Sequence, residues 1–433
     1  MPLDVWLYDR KVGVLSEQRD GLTFAYTSDA VDAPVGAQLS VRLPVRTKPW
    51  PHLDTQAFFE NLLPDEDVRA LLAGAARLVQ TDTVALLGAV GGECAGAVSL
   101  WPEAVAPPAP DYTRCRAADV PALTGRTTGR TTGRTTGRTT GRTAHRDNDG
   151  VGVATLLRAG RQSMSGAQEK LVFLRRGERY WLPRAGSPTT VLVKRSRDRF
   201  PGLVQNEHLA LRLMAAAGVP VAAAQPCALD DALFESVRYD RVASTRGVRR
   251  LHQEDFCQAT GRTSRAKYAA TGGPSLSDVR VVIDRHSAGA LEDVGRVARW
   301  VVANLCIGNF DAHAKNLSLL HTDGSGLRLA PFYDVVCTAA YPGLNQEFAM
   351  RVGGAVATRA LSPRALPVLA RELKLAGSEV RAMVADTCDA VAAHAEDAAH
   401  EVGRVVGKHA VLDTVVRWVQ TTAPEVRRRL LGR

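Results

Sequence analysis

From Gly308 to Asn316 the chain reads Gly-Asn-Phe-Asp-Ala-His-Ala-Lys-Asn, a polar knot set between two apolar runs. Polar residues held between segments that demand burial are placed for a purpose, because each unpartnered group there costs free energy. Asp311 and Asn316 stand as D-x-x-x-x-N. In phosphoryl transfer, an aspartate and an asparagine at that spacing accept the proton of an attacking hydroxyl and hold a magnesium ion. Two residues do not make a site; the reaction also needs groups that cover and neutralise the phosphates and a second metal ligand. The chain supplies them in order. Ser163 to Lys170 is a polar, small-residue turn before the strand Leu171–Leu174, Lys194 ends a later strand, and Glu207 opens a helix. Asp334 follows inside an apolar run, Leu329 to Val336, where its charge needs a cation or donor partner. Taken singly, Lys194 and Glu207 read as surface charges. Their order and spacing make them a set: a loop over the phosphates, a lysine on them and a glutamate to orient the lysine.

The elements that must position these groups are legible from periodicity. Strands are predicted at Val5–Tyr8, Gln38–Leu43 (with Leu39, Val41 and Leu43 on one face), Ala95–Trp101, Leu171–Leu174, Arg179–Leu182 and Val191–Lys194. Helical spacing runs from Leu53 to Gly74 with a break at Pro64. Asp82 reads as the N-cap of a helix through Val90, and Leu209–Ala217 is a helix stopped by Gly218. A strand over Ala232–Val242 leaves through Val237-Arg-Tyr-Asp-Arg241, a candidate hinge between lobes. Leu291, Val294, Val297, Val301 and Leu305 mark the apolar face of a helix that delivers the chain to Gly308, and residues 360–431 are helical with a basic end. A hairpin around Thr322–Gly326 separates the two metal-binding positions.

Composition narrows the classes. A chain of 433 residues with 45% hydrophobic content is long enough for roughly three domains. No apolar run approaches the roughly 20 residues of a membrane span, and the N-terminal residues do not read as a signal peptide. Seven scattered cysteines without a C-x-x-C pair point to a reducing cytoplasm and away from disulfides and structural zinc. His400-Glu401 lacks the second helical histidine of a zinc protease, since position 404 is Arg. Five arginines of the +10 net charge lie in Thr124–Thr143, five copies of Thr-Gly-Arg-Thr. Without them 50 basic residues face 45 acidic ones, a mild excess that permits a phosphate or nucleic-acid partner without requiring one. The repeat has no apolar residue, so it is expected to be disordered, a low-complexity insertion in a surface loop. The expected organisation is a small domain over 1–102, a linker with the repeat over 103–150, a first lobe over 151–242 and a helical lobe over 243–433.

Several motifs in this order resemble the HipA family of serine/threonine kinases, the toxins of HipA–HipB modules. They are Phe58-Phe-Glu-Asn-Leu-Leu-Pro-Asp65, Gly91-Gly-Glu-Cys-Ala-Gly-Ala-Val98, Ser165-Gly-Ala-Gln-Glu-Lys170, Gln253-Glu-Asp-Phe-Cys-Gln258, Lys267-Tyr268, Gly272-Gly-Pro-Ser275 and Gly308–Asn316. The resemblance covers nearly the whole chain and excludes the repeat. It implies an α+β, bilobal protein-kinase-like fold with a small mixed α/β N-terminal domain and a mainly α-helical C-terminal lobe. It further implies Asp311 as catalytic base, Asn316 and Asp334 as magnesium ligands, and Lys194 on the ATP phosphates with Glu207 as its partner. Ser165, Gly166, Ala167, Gln168, Glu169 and Lys170 would cover the nucleotide, Val237, Arg238 and Tyr239 would hold the adenine, and Tyr333, His313 and Lys315 would complete the nucleotide site. The family commonly has an acidic residue where Val237 stands. Ser163 matches the serine whose autophosphorylation switches such kinases off, a phosphate there competing for the loop's donors. Implied with these are ATP and Mg2+, a protein substrate (aminoacyl-tRNA synthetases in the family), a HipB-like helix-turn-helix antitoxin, DNA through the antitoxin complex, no membrane and a cytoplasmic location. The alternative is a non-toxic or weakly active HipA-like subunit acting mainly as transcriptional corepressor with a helix-turn-helix partner.

Overall fold

The computed structural model describes residues 1–124, 160–163, 170–196, 199–230, 233–245, 247–322 and 326–432. Ser165 to Glu169 of the expected nucleotide loop, and the Thr-Gly-Arg-Thr tract after Thr124, lie outside the described residues.

A four-stranded antiparallel sheet in the order β3-β2-β1-β4 opens the chain, from β1 (Leu3–Leu7), β2 (Arg10–Gln18), β3 (Gly21–Tyr26) and β4 (Val98–Pro102). Helices α1 (His52–Phe59), α2 (Glu66–Ala76) and α3 (Thr83–Val90) pack with it, and Asp82 caps α3 by accepting the Ala85 N–H at 2.8 Å. The predicted strand Gln38–Leu43 is not one: it is an irregular segment with one bridge, Ser40 to Leu43. Its apolar alternation arises because Leu39 and Leu43 plug the same core from a turn. β2 and β3 take the sheet positions instead; their mixed polarity hid them, since only one face of each is buried.

A second antiparallel sheet runs β5-β7-β6-β8-β10-β9, from β5 (Asp111–Cys115), β6 (Leu171–Arg176), β7 (Arg179–Arg184), β8 (Val191–Arg195), β9 (Ala224–Pro226) and β10 (Leu233–Val237). The stretch expected to be linker therefore contributes an edge strand, β5, paired with β7. Helix α4 (Leu203–Ala216) lies between β8 and β9 and begins four residues before the Glu207 that marked its opening in the sequence. A hairpin of β11 (Arg241–Ser244) and β12 (Gly247–Arg250) leads into a third sheet of β13 (Gln253–Asp255), β14 (Ser318–Thr322) and β15 (Gly326–Leu329). The remainder is helical, chiefly α5 (Leu276–His286), α6 (Ala290–Ile307), α7 (Ala365–Leu373), α8 (Gly377–Ala393), α9 (Ala395–Val405) and α10 (Ala410–Leu431). Within α6, Val294, Val297, Val301 and Leu305 are buried, whereas Leu291 is 73% exposed: the apolar face starts one turn later than the spacing suggested.

Two cores result. One joins the first sheet and α1–α3 to Leu171, Phe173, Val191 and Val193 of the second sheet; the other lies among α4–α10. Because side chains alternate along a strand, the face of β8 opposite Val191 and Val193 carries Leu192 and Lys194, and that face looks into the cleft between the cores. The sheet thus anchors on its hydrophobic side and presents its lysine on the other.

Candidate active site

The cleft is a cavity of about 110 Å³ whose walls include Lys170, Leu192, Lys194, Glu207, Val237, Tyr239, His313, Asn316, Tyr333 and Asp334. Lys194 Nζ donates to Glu207 Oε1 at 2.7 Å and to Asp334 Oδ1 at 2.6 Å, so strand, helix and post-hairpin aspartate meet at one ammonium. Glu207 and Leu211, four apart on α4, both line the cleft, as helical spacing requires. Lys170 Nζ lies 3.8 Å from the other oxygen of Asp334. Burial alone would raise the Asp334 pKa, but Lys170 and Lys194 outweigh it and hold the carboxyl well below the usual carboxylate range. Burial works against the Lys194 charge too, and Asp334 and Glu207 overcome it, so Lys194 stays protonated. Asp334 is in the left-handed region, with φ 58°, which aspartate tolerates better than most residues but which still costs of order 1–3 kcal/mol.

The polar knot is built from the end of α6. Gly308 closes that helix at φ 77°, and a Cβ there would stand 2.4 Å from Trp418 Nε1, so glycine is required twice over. Asn309 Nδ2 donates to Asn304 Oδ1 at 2.8 Å while its Oδ1 accepts the Asp311 N–H at 3.2 Å. Phe310 N–H donates to Thr338 Oγ1 at 2.9 Å, tying the loop to the segment beyond Asp334. Asn316 Nδ2 donates to the Asp311 carbonyl at 3.1 Å, which leaves its Oδ1 as the acceptor. An amide oxygen on Asn316 and a carboxylate on Asp334, both on the cleft wall, form an all-oxygen donor pair suited to magnesium, whose remaining positions water and phosphate oxygens fill. The two residues fit that ion.

The other predicted residues fall as follows. Asp311 is exposed, its carboxylate accepting from the Tyr268 hydroxyl at 2.7 Å. His313 is buried beside it and kept neutral, burial pushing its pKa down, and its Nδ1 has no hydrogen-bond partner among the described residues. Lys315 is committed: its Nζ donates to Asn61 Oδ1 at 2.7 Å, Asn61 O at 3.2 Å and Asp255 Oδ2 at 3.0 Å. Those bonds exhaust the ammonium, so Lys315 braces the catalytic segment against the N-terminal domain. Tyr333 is part of the cleft wall through hydrogen bonds of 2.7 Å with Ser318 Oγ and the Lys315 carbonyl, and its ring lies 5.7 Å from that of Tyr239. In the hinge segment, Val237 N–H donates to Ala223 O at 2.7 Å and Arg238 N–H to Thr190 O at 2.9 Å. Both amides serve the protein. Arg238 lines the cleft with Val237 and Tyr239, and its guanidinium is paired with Glu93 and Asp240, at 2.8 and 2.7 Å. Ser163 is fully buried, its Oγ donating to Leu62 O at 2.7 Å and its N–H to Glu93 O at 2.8 Å.

Residues that sequence reasoning left without chemistry also reach the site. Asn61 and Leu62 of the N-terminal domain line the cleft, Asp65 pairs with Lys267, and Tyr268 bonds Asp311. The available signal was polar residues, Asn61 and Asp65, ending an apolar helical run.

A family model described as the HipA-like C-terminal domain matches residues 162–395, and one described as the HipA N-terminal domain matches residues 3–101. The chain belongs to the HipA family. It is 34% identical over 410 residues to Y4mE of Sinorhizobium fredii, a protein named as a kinase, covering 91% of this chain and 92% of that one. It is 26% identical over 372 residues to the serine/threonine-protein kinase toxin HipA of Shewanella oneidensis, covering 81% and 78%. The fold superposes with a TM-score of 0.78 on a chain from the Shewanella oneidensis complex of HipA, HipB and operator DNA, at 22% identity over 99% of this chain and 97% of that one. The architecture is therefore the HipA one, α+β with a helical C-terminal region. Among the described residues no helix is long and apolar enough to cross a membrane.

Proposed function

We propose that this HipA-family chain is an ATP- and magnesium-dependent protein serine/threonine kinase, with Asp311 the base, Asn316 and Asp334 the metal ligands, and Lys194, oriented by Glu207, on the phosphates. The observation that carries this is the convergence of Lys194, Glu207 and Asp334 within 2.7 Å contacts on the wall that also holds Asn316. Phosphoryl transfer needs positioning and charge neutralisation rather than covalent help. Bound magnesium would supply charge compensation between the phosphate oxygens. The protein's part is to hold two lysines and two oxygen ligands on the cleft wall, with the exposed base Asp311 next to His313 of that wall. Lys194 and Lys170 would hold the phosphates, and Asn316 and Asp334 would hold the magnesium. The proposed units are 1–102, 103–150, 151–242 and 243–433, with β5 belonging structurally to the first lobe.

The acceptor is read as a serine or threonine on another protein, the outcome as growth arrest in the cytoplasm, and the partner as a HipB-like helix-turn-helix protein that brings DNA with it. The kinase names of the relatives and the HipA–HipB–DNA assembly of the Shewanella structure support this. That assembly also favours a second, compatible role as corepressor; the complete Asp311, Asn316 and Asp334 set favours catalysis. Ser163 is the proposed self-modified residue. Its hydroxyl donates to a carbonyl, so a phosphorylated oxygen would lose the bond and face Leu62 O with negative charge, expelling the segment. Competition for donors alone understated this: the local neighbour is an acceptor.

Incubation with labelled ATP and magnesium tests the proposal. Wild type is expected to label itself or proteins of a cell extract, and Asp311→Asn to keep only a small residual rate. A wild type that transfers nothing sinks the kinase reading.

A further inference from the structure

The contact between Tyr268 and Asp311 is not used by any role assigned above. Asp311 has half its side chain open to solvent, and its two side-chain contacts, the Tyr268 hydroxyl at 2.7 Å and His313 Nε2 at 4.0 Å, both fall on Oδ1. Among the described residues no donor reaches Oδ2. Among the described residues the carboxylate is gripped through Oδ1 alone.

Tyr268 is itself firmly held. Its carbonyl accepts from Thr271 N–H at 3.0 Å and Gly273 N–H at 2.8 Å, and the next residue, Ala269, donates its N–H to Ala349 O at 2.7 Å. A Cβ on Gly273 would stand 2.7 Å from the Tyr268 carbonyl oxygen, so this turn closes only around glycine. The ring meets that of His313 edge-on, with centroids 5.2 Å apart, and Lys267, paired with Asp65, puts its ammonium 5.2 Å from the ring centroid. Backbone and ring together leave the hydroxyl aimed at Asp311. Burial first, then the Asp311 charge and the hydrogen bond, hold the phenol well above its ordinary pKa, so it remains a donor.

We propose that Tyr268 is a positioning residue for phosphoryl transfer: its hydroxyl fixes Asp311 Oδ1 and so aims Oδ2 at the acceptor hydroxyl. The proposal rests on the kinase reading with Asp311 as base. In the step it organises, the acceptor O–H proton passes to Asp311 Oδ2 and the acceptor oxygen bonds to the γ-phosphorus. The bond from that phosphorus to the bridging oxygen breaks, its electron pair leaving with ADP, and Tyr268 keeps its own proton throughout. A general base must lie within about 3 Å of the proton it takes, and a misplacement of about 1 Å costs on the order of 10²-fold. A single hydrogen bond that stops a half-exposed carboxylate from rotating therefore has kinetic consequences.

The test uses full-length wild type, Tyr268→Phe, Asp311→Asn and the double variant, with labelled ATP, magnesium and dephosphorylated casein as acceptor alongside self-labelling. Tyr268→Phe is expected to lower kcat about tenfold, to leave KM for ATP within about twofold, and to add nothing to the loss in the Asp311→Asn background. Four results overturn the role: an unchanged or raised rate in Tyr268→Phe, an equal further loss on top of Asp311→Asn, a fall in kcat matched by loss of melting temperature and ATP binding, or phosphate on Tyr268 itself in the wild type. A wild type that binds ATP yet labels no more than Asp311→Asn overturns the kinase reading, and the positioning role with it; normal wild-type transfer with an indifferent Tyr268→Phe overturns the inference alone.

Discussion

Asp334 shows how much of the site's chemistry rests on single charges. Lys194 and Lys170 compensate it in the cleft, and Lys194 is also the partner of buried Glu207. Lys194→Met is therefore expected to do two separable things. It should abolish detectable transfer, and it should destabilise the fold, since removing one member of a buried ion pair costs about 3–5 kcal/mol. A urea titration showing no loss would mean that the three groups are not coupled as described. Glu254 gives a pH signature at the same scale. It is fully buried, accepting from Ser40 Oγ at 2.5 Å and Val41 N–H at 2.9 Å, and burial pushes its pKa up from 4.5 to about 7. The native state thus holds this proton where the unfolded chain has released it, so stability falls as pH rises from about 4.5 to about 7. Glu254→Gln should flatten that part of the stability–pH curve and make the protein more stable than wild type at pH 8. An identical slope in the variant would assign the effect elsewhere.

At the scale of elements, the decisive feature is how β8 divides its faces. Val191 and Val193 seal the core with the N-terminal domain while Leu192 and Lys194 face the cleft, so moving the strand by one residue would bury the lysine in the wrong place. The segment carrying Ser163 is held in the same manner, through a parallel bridge between Glu93 and Gln162 and the Ser163–Leu62 bond. Self-phosphorylation at Ser163 requires that latch to open. Phosphopeptide mapping is expected to find Ser163 as the main self-modified site, and Ser163→Ala to cost about 1 kcal/mol in stability, the worth of one hydrogen bond. Phosphate confined to the threonine repeat would contradict the assignment.

Across the whole molecule, the N-terminal domain is built into the cleft, whose walls include Asn61, Leu62 and Ala95. Glu93 accepts from Thr189 N–H at 2.9 Å and pairs with Arg238 at 2.8 Å, Arg241 at 3.1 Å and Arg250 at 2.8 Å, so one carboxylate joins the first domain to the hinge. Burial would raise its pKa, but the three arginines outweigh it and lower the value from 4.5 to about 2. The contribution is present above about pH 4.5 and is lost as pH falls toward 2, because protonation of the native state must then surrender those pairs. Glu93→Gln is expected to lower stability by about 3–5 kcal/mol at pH 7 and to blunt acid unfolding in that window. A loss below 1 kcal/mol in a denaturant titration would show that the arginines find other partners. Lys315 makes the corresponding link on the cleft wall, from Asn61 to Asp255.

The chain order of Lys194, Glu207, Asp311, Asn316 and Asp334 was legible because each sits in an element with a clear local period or cap, and local propensity acts over a few residues. Sequence alone thus determined the helical lobe, the strand bearing Lys194 and the family resemblance. Tertiary structure decided the rest. Gln38–Leu43 has a strand's alternation yet forms a turn, and β5 emerges from a stretch with a linker's composition, because edge pairing depends on a partner sixty or more residues away. Lys315 braces, Arg238 pairs with Glu93 and Asp240, and Tyr268 grips Asp311 for the same reason. Where a long polar side chain spends its hydrogen bonds depends on which distant backbone and carboxylate groups packing brings within 3 Å, and no local pattern encodes that.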